Sequence, residues 1–352
     1  MLSFRSQADI YLSKERTMSK GSLRATIACA VAGAFATLAA PANAYVYSLS
    51  HLEIDNLQIA IGGTTSAVSS FTFNLSNSAS MNSGPVASSA ACNSFGAPAC
   101  SPVSPVLDAA AVNAPGSTEL RANNDFTFLG VDQVNSYSNA DSVIRSAQLV
   151  QGVPTSTEQI AESLLNINGF AQANSLIQSN TRLIFTLVVP ESGGTLNLSF
   201  LADPDQRSQI DGAVGSYLSQ SDLNASFSLS MAGGGSVSWT PNGTAANDCV
   251  TTMAGVTCLE TADSQDLNFN TSVGANPGVA DNSYDIARIL TPFGISITGL
   301  AAGDYTLALN ANTSTSIIRS VQAIPEPATL GLIGLALAFM GGMRMRKASR
   351  KA

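Results

Sequence analysis

Apolar and polar residues alternate along much of this chain. In His51-Leu52-Glu53-Ile54-Asp55-Asn56-Leu57-Gln58-Ile59, Leu52 and Ile54 fall on one side, joined after a slip by Leu57 and Ile59. Phe71, Phe73 and Leu75 alternate with Thr72 and Asn74. A period of two is the pattern of a half-buried strand. It predicts further strands over residues 182–189, 195–201, 223–231, 236–239 and 267–273. Residues 293–297 and 305–309 form a last pair around a turn from Gly299 to Gly303. Gly, Asn, Asp and Pro between the runs supply turn geometry. Strands recurring on this scale predict an all-β body, a β-sandwich or jelly-roll-like fold.

Two stretches break the alternation. Ser156 as a cap with Gln159 three residues on reads as a helix start. Ile160, Leu164 and Leu165 would then line one helical face. A second helical piece over residues 170–179 completes a short helical insert, about 155–180, packed on the sheet. Residues 76–118 are dense in Ser, Ala, Pro and Gly and read as a long surface loop.

The two ends follow different rules. Met18 is followed by Lys20 and Arg24, then by the uncharged, Ala-rich residues 25–40 and by Ala42-Asn43-Ala44. Basic flank, apolar stretch and small residues at Ala42 and Ala44 make residues 18–44 a signal peptide cut before Tyr45. Residues 1–17 then read as an upstream extension. At the other end, Pro325-Glu326-Pro327 cannot be helical. Residues 328–343 are uncharged and apolar, long enough for a helix of about 24 Å, a short membrane span. Arg344, Arg346, Lys347, Arg350 and Lys351 follow at once and hold that end in the cytoplasm.

Pro-Glu-Pro, a short apolar helix and a terminal basic cluster, in that order, resemble the PEP-CTERM sorting signal of Gram-negative bacteria. The resemblance covers residues 324–352 alone. It implies that an exosortase-like membrane protease recognises Pro325, Glu326 and Pro327. It also implies a host that makes exopolysaccharide, biofilm or floc. These three residues are read by the sorting machinery and take no part in catalysis by this chain.

Composition narrows the body, residues 45–322. Only 11% of the chain is charged, against about a quarter in ordinary proteins. No long apolar run interrupts the middle, which excludes a multi-span helical membrane protein. Between Tyr45 and Ile324 there are six Arg, no Lys and 21 acidic residues, a net charge of −15. Such a body repels nucleic-acid phosphates, and a P-loop has no lysine to use.

Four cysteines remain once Cys29 leaves with the signal, and an exported chain with an even count invites disulfides. Three connectivities are open; the local one, Cys92–Cys100 and Cys249–Cys258, is the choice made on spacing. A metal site would want C-x-x-C spacing or added His, so no metal or cofactor is expected.

Catalytic candidates are few. His51 is the only His, and no G-x-S-x-G accompanies it. It reads as a polar residue at a strand start. Trp239, the one Trp, reads as a partly buried strand residue, with a glycan-stacking platform as the alternative. Asp203-Pro204-Asp205 and Asp211 read as solvated turn carboxylates, with a weak Ca²⁺ loop as the alternative. The expectation is therefore a non-enzymatic protein, exported by signal peptidase and an exosortase-like system. It would be a membrane-anchored precursor, then a component of the cell surface or extracellular matrix that meets exopolysaccharide. A carbohydrate-active hydrolase with two converging carboxylates, or a glycan-binding module, are the rival readings.

Overall fold

A computed structural model describes residues 44–321 except 63, 94–105, 134, 146–155, 188–192, 213–214 and 276–277. The expected signal, sorting and membrane segments lie outside the described residues. Among the described residues there is no helix, so none long and apolar enough to cross a membrane.

Sixteen strands follow one another: β1 (Tyr45–Gly62), β2 (Thr64–Met81), β3 (Val86–Asn93), β4 (Val106–Asn113), β5 (Tyr137–Arg145), β6 (Ser156–Leu165), β7 (Gly169–Leu187), β8 (Gly194–Gly212), β9 (Ser216–Met231), β10 (Ser236–Trp239), β11 (Val250–Thr251), β12 (Thr257–Asp263), β13 (Asn270–Ala275), β14 (Gly278–Tyr284), β15 (Thr291–Leu300) and β16 (Gly303–Ser320). They form two eight-stranded sheets. Sheet 1 runs β12-β15-β8-β1-β6-β5-β4, with β14 also on β8. Sheet 2 runs β11-β10-β9-β16-β7-β2-β3, with β13 also on β9. Every pairing is antiparallel. The fold is all-β and sandwich-like.

The sheets face each other across a layer that changes character along its length. At one end Leu52, Leu198, Phe200, Phe227, Trp239 and Phe293 share one apolar cluster. Phe200 is the hub, 5.0 Å from the Phe227 ring and 5.2 Å from that of Phe293. In the middle the facing residues are small and hydroxylated. Ser48 Oγ donates to the Gln220 carbonyl at 2.5 Å, and Ser221 Oγ to that of Leu49 at 2.6 Å. A Ser138–Ser163–Thr315 chain crosses nearby with 2.9 Å links. These bonds require a close approach, and Cα atoms of β1 and β9 come within 8 Å, against about 10 Å for ordinary sheet packing.

The slip expected in β1 is a β-bulge. Register shifts between Asp55 and Gln58, and Asn56 takes φ 51°. The turn after β15 is also where expected. Gly299 has φ 82°, and a Cβ there would meet the Gly255 carbonyl oxygen at 2.3 Å. That turn carries the chain from sheet 1 into sheet 2, so β15 and β16 are not neighbours.

Three expectations are corrected. The helical insert is absent: Ser156–Leu165 is β6, and Gly169–Leu187 is β7. β6 lies between β1 and β5, and all seven residues from Gln159 to Leu165 are buried. A strand buried on both faces has no reason to alternate, and Ile160, Leu164 and Leu165 imitated a helical spacing. The loop expected over 76–118 contains the end of β2 and all of β3 and β4. Serines and alanines from Ser76 to Ser80, Ala87 to Ala91 and Ala109 to Ala111 are sheet residues. Finally, Asp203 and Asp205 belong to β8 and not to a turn. Pro204 is tolerated there because β15 pairs β8 only as far as Ala202, and β14 only from Gln206 on.

Candidate functional site

The long irregular segment is residues 114–133, which lie against the outer face of sheet 1. Phe126 is buried with Tyr47, Leu49, Tyr137, Ile160 and Leu164 from that face. This cover explains why β5 and β6 are buried on both sides.

The cover is fastened by one carboxylate. Glu162 of β6, fully buried, accepts Arg121 Nη2 at 2.5 Å, Tyr47 Oη at 2.8 Å and Tyr137 Oη at 3.0 Å. Its oxygens also accept the Gly130 and Leu129 N–H groups at 2.8 and 3.2 Å. Arg121 Nη1 donates to the Asp125 and Thr127 carbonyls within the cover. A buried charge is tolerated when its lone pairs are filled, and these are. Burial, with the neighbouring Glu162 charge, holds both tyrosine hydroxyls well above their ordinary pKa, so they stay donors.

His51 centres a second ionic group, two residues from Leu49 on the same face of β1. It lies mid-strand and fully buried, not at a strand start. Its Nδ1 is 3.0 Å from Asp205 Oδ2 on β8, and its Nε2 is 3.5 Å from Glu158 Oε1 on β6. The ring meets Phe128 of the cover edge-on at 5.3 Å. Arg288, from the connection between β14 and β15, sits 4.9 Å above the Phe128 ring and 3.3 Å from Glu158 Oε1. Among the described residues no hydroxyl pairs with either ring nitrogen, so the geometry is a buried ion cluster and not a Ser-His-Asp relay.

Protonation follows from this crowding. Burial alone would lower the His51 pKa, but the Asp205 and Glu158 hydrogen bonds outweigh it and raise it. Burial raises Glu158, yet the His51 hydrogen bond and charge bring it below the usual range. Burial, then the neighbouring Asp205 charge, raises Asp203 to about 6. Burial also raises Asp141, on β5, to about 7 against the hydrogen bonds it accepts from Asn124 and Ser142 N–H.

A third acidic group lies at the other edge of sheet 1. Carboxylate oxygens of Asp248, Glu260 and Asp263 all lie within 4.8 Å of one another. Glu260 accepts Trp239 Nε1 at 2.6 Å, and Asp263 accepts the Asn242 and Gly243 N–H groups at 3.0 and 2.9 Å. Burial, opposed by those backbone bonds and reinforced by Glu260, raises Asp263 to about 6. Three hard oxygens at this spacing are the donor type for a divalent cation. Sequence reading missed the group because its members are 3 to 15 residues apart with no motif spacing. Trp239 is fully buried, packed on Phe227 at 5.1 Å, so it is no stacking platform.

The remaining expected residues are placed as follows. Cys249 and Cys258 form a disulfide with Cα atoms 5.7 Å apart, closing the loop beside this acidic group. Cys92 is disulfide-bonded, and Cys100 lies outside the described residues. Ala44 is buried and Tyr45 opens β1. Ala42, Pro325, Glu326, Pro327, Arg344, Arg346, Lys347, Arg350 and Lys351 all lie outside the described residues.

Comparison with known proteins bears on the carboxyl end. No curated protein and no solved structure matches the chain. Residues 323–347 match the family model of the PEP-CTERM protein-sorting motif, the segment in which the sequence showed that resemblance.

Proposed function

We propose that this protein is a non-enzymatic component of the bacterial cell surface or extracellular matrix. In this reading it is exported by signal peptidase, sorted by an exosortase and held in contact with exopolysaccharide. The observation that carries the reading is the PEP-CTERM motif over residues 323–347, which implies handling by an exosortase at the membrane and delivery toward the surface. The body is in keeping with a structural role. Glu162 is used to fasten the cover, and His51 is held by Asp205 and Glu158 beneath Phe128 of the cover. None of the described tyrosines is exposed, nor is Trp239, so an aromatic sugar platform lacks support.

Intact mass of the protein recovered from membrane and secreted fractions of its host tests the reading. A product beginning at Tyr45 and ending near residues 325–327 supports it. A product retaining Arg344 to Ala352 makes the tail an ordinary anchor and overturns sorting. Deleting residues 324–352 should abolish retention in the matrix; unchanged localisation counts against the proposal.

A further inference from the structure

Sheet 2 carries its own outward face, whose residues are half-buried or exposed among the described residues, where sheet 1 is covered. Along β16, residues from Tyr305 to Ile317 alternate strictly between buried and half-buried, and β9 does the same from Tyr217 to Phe227, with Asn224 exposed. The strand registers line the outward residues into rows. Ser76, Asn312 and Asn224 share one row, and Ser78, Asn174 and Ser314 share the next. The strands of sheet 2 contain four charged residues, Arg182, Asp222, Asp304 and Arg319, which cancel. The strands of sheet 1 carry twelve carboxylates against Arg145 and Arg207.

We propose that the outer face of sheet 2 is a docking surface for a neutral, polyhydroxylated polysaccharide chain. The inference rests on the matrix reading above and names the surface that would serve it. Charge decides between partners first. A polyanion is repelled by a body of net charge −15, and a polycation finds on these central rows only Asp222, which already accepts hydrogen bonds from Asn270 and Ser314. A protein partner would want aromatic, Met or Arg anchors at the centre of the contact. The central rows offer one apolar residue, Leu176, with Phe170 and Ile318 paired at the far end. Amides and hydroxyls instead give donors and acceptors together, as sugar hydroxyls do. Neighbouring strands repeat this chemistry about every 4.8 Å, so a glycan lying across them meets a fresh polar side chain at each strand. Each contact is weak without an aromatic ring beneath it, and affinity comes from many strands engaged at once.

The test uses full-length protein in detergent and two probes, an insoluble neutral β-glucan and alginate, a polyuronate. The face variant combines Asn174→Asp, Asn224→Asp and Asn312→Asp, which keep side-chain shape. The control variant adds three acids elsewhere, through Leu120→Asp, Val279→Asp and Ile289→Asp at exposed positions. Urea midpoints check that both variants fold. The parent should co-sediment with the neutral glucan and not with alginate. The face variant should lose about tenfold or more in affinity, since each change removes an amide donor and adds a charge that must shed water against the glycan, while the control stays within about twofold. Equal binding by face variant and parent overturns the surface and leaves the matrix reading standing. Parent protein that binds neither probe nor polysaccharide extracted from its own host overturns both. A concentration-dependent dimer that the face variant converts to monomer, without glucan binding, assigns the face to a second copy of this chain and overturns the proposal.

Discussion

The two sheets have equal strand number and the same antiparallel pairing, yet they solve opposite problems. Sheet 1 concentrates carboxylates and hides Glu162 and Asp141 under residues 114–133, where Glu162 and His51 anchor the cover. Sheet 2 is nearly free of charge, and among the described residues its outward positions are half-buried or exposed. The difference teaches that burial on both faces demands ionic fastening when the covering chain has no regular structure of its own. Residues 114–133 cannot satisfy their backbone groups in a ladder, so side chains of the sheet do it. Gly130 and Leu129 N–H groups end on Glu162, and the Asn124 N–H on Asp141.

The sharpest way to break this contrast is Glu162→Ala. It leaves Arg121 buried without its partner, which should destabilise the protein by about 3–5 kcal/mol. The same truncation on sheet 2, Asn312→Ala, should change stability by no more than about 0.5 kcal/mol. Urea unfolding of the two variants side by side checks both figures, and equal losses would erase the distinction between the sheets.

The inner layer should respond in between. Ser48→Val or Ser221→Val removes a cross-sheet hydrogen bond and adds volume where the sheets are closest. A loss of about 1–3 kcal/mol is expected from overpacking, visible as a lowered melting temperature. A neutral result would mean that the sheets can separate at the seam without strain.

The smallest effect is in pH dependence and again belongs to sheet 1. Asp141 and Asp203 bind a proton more tightly folded than unfolded, with folded values of about 7 and about 6 against an ordinary 3.8. Their contribution is complete below pH 4 and is lost as pH rises through those values. His51, also raised, contributes below its ordinary 6.5 and loses that contribution as pH climbs past its folded value. Glu158, lowered, works the other way, contributing above its ordinary 4.5 and losing it toward acid. The sum favours pH 5 over pH 8. Melting temperatures across that range should fall toward alkaline pH and should flatten in Asp141→Asn. A rise toward pH 8 would refute the assignment.

Part of sheet 2 could be read directly, because one-sided burial writes itself as alternation; residues 170–179 of β7, and β3 with the end of β2, were read as helix and loop. The stretch 223–231 lies inside β9, 236–239 is β10 to the residue, and 305–309 lies inside β16. Sheet 1 was harder because its central strands are buried on both sides and their charges face a cover far away in sequence. Ser156 and Gln159 looked like a helix start, and Asp203-Pro204-Asp205 looked like a turn. Nothing local in residues 114–133 reveals that Arg121 will meet a carboxylate 41 positions later. A usable signal did exist: in β6, acidic residues interrupt a run that is otherwise apolar or small. The acidic group beside Trp239 had no such signal, since its members meet only after β10 and β12 have joined different sheets.

Strand order also sets a timetable. β1 sits in the middle of sheet 1, between β6 and β8, and β16 sits in the middle of sheet 2, between β7 and β9. The first strand to emerge must therefore wait through more than 90 residues for β6, its nearest partner in sequence. The last strand fills a central slot, so sheet 2 is not a finished platform until the final described residues arrive. Contacts this distant in sequence fold slowly and leave strand edges open meanwhile. A chain assembled in this order needs to be kept from its neighbours until its last strand has docked.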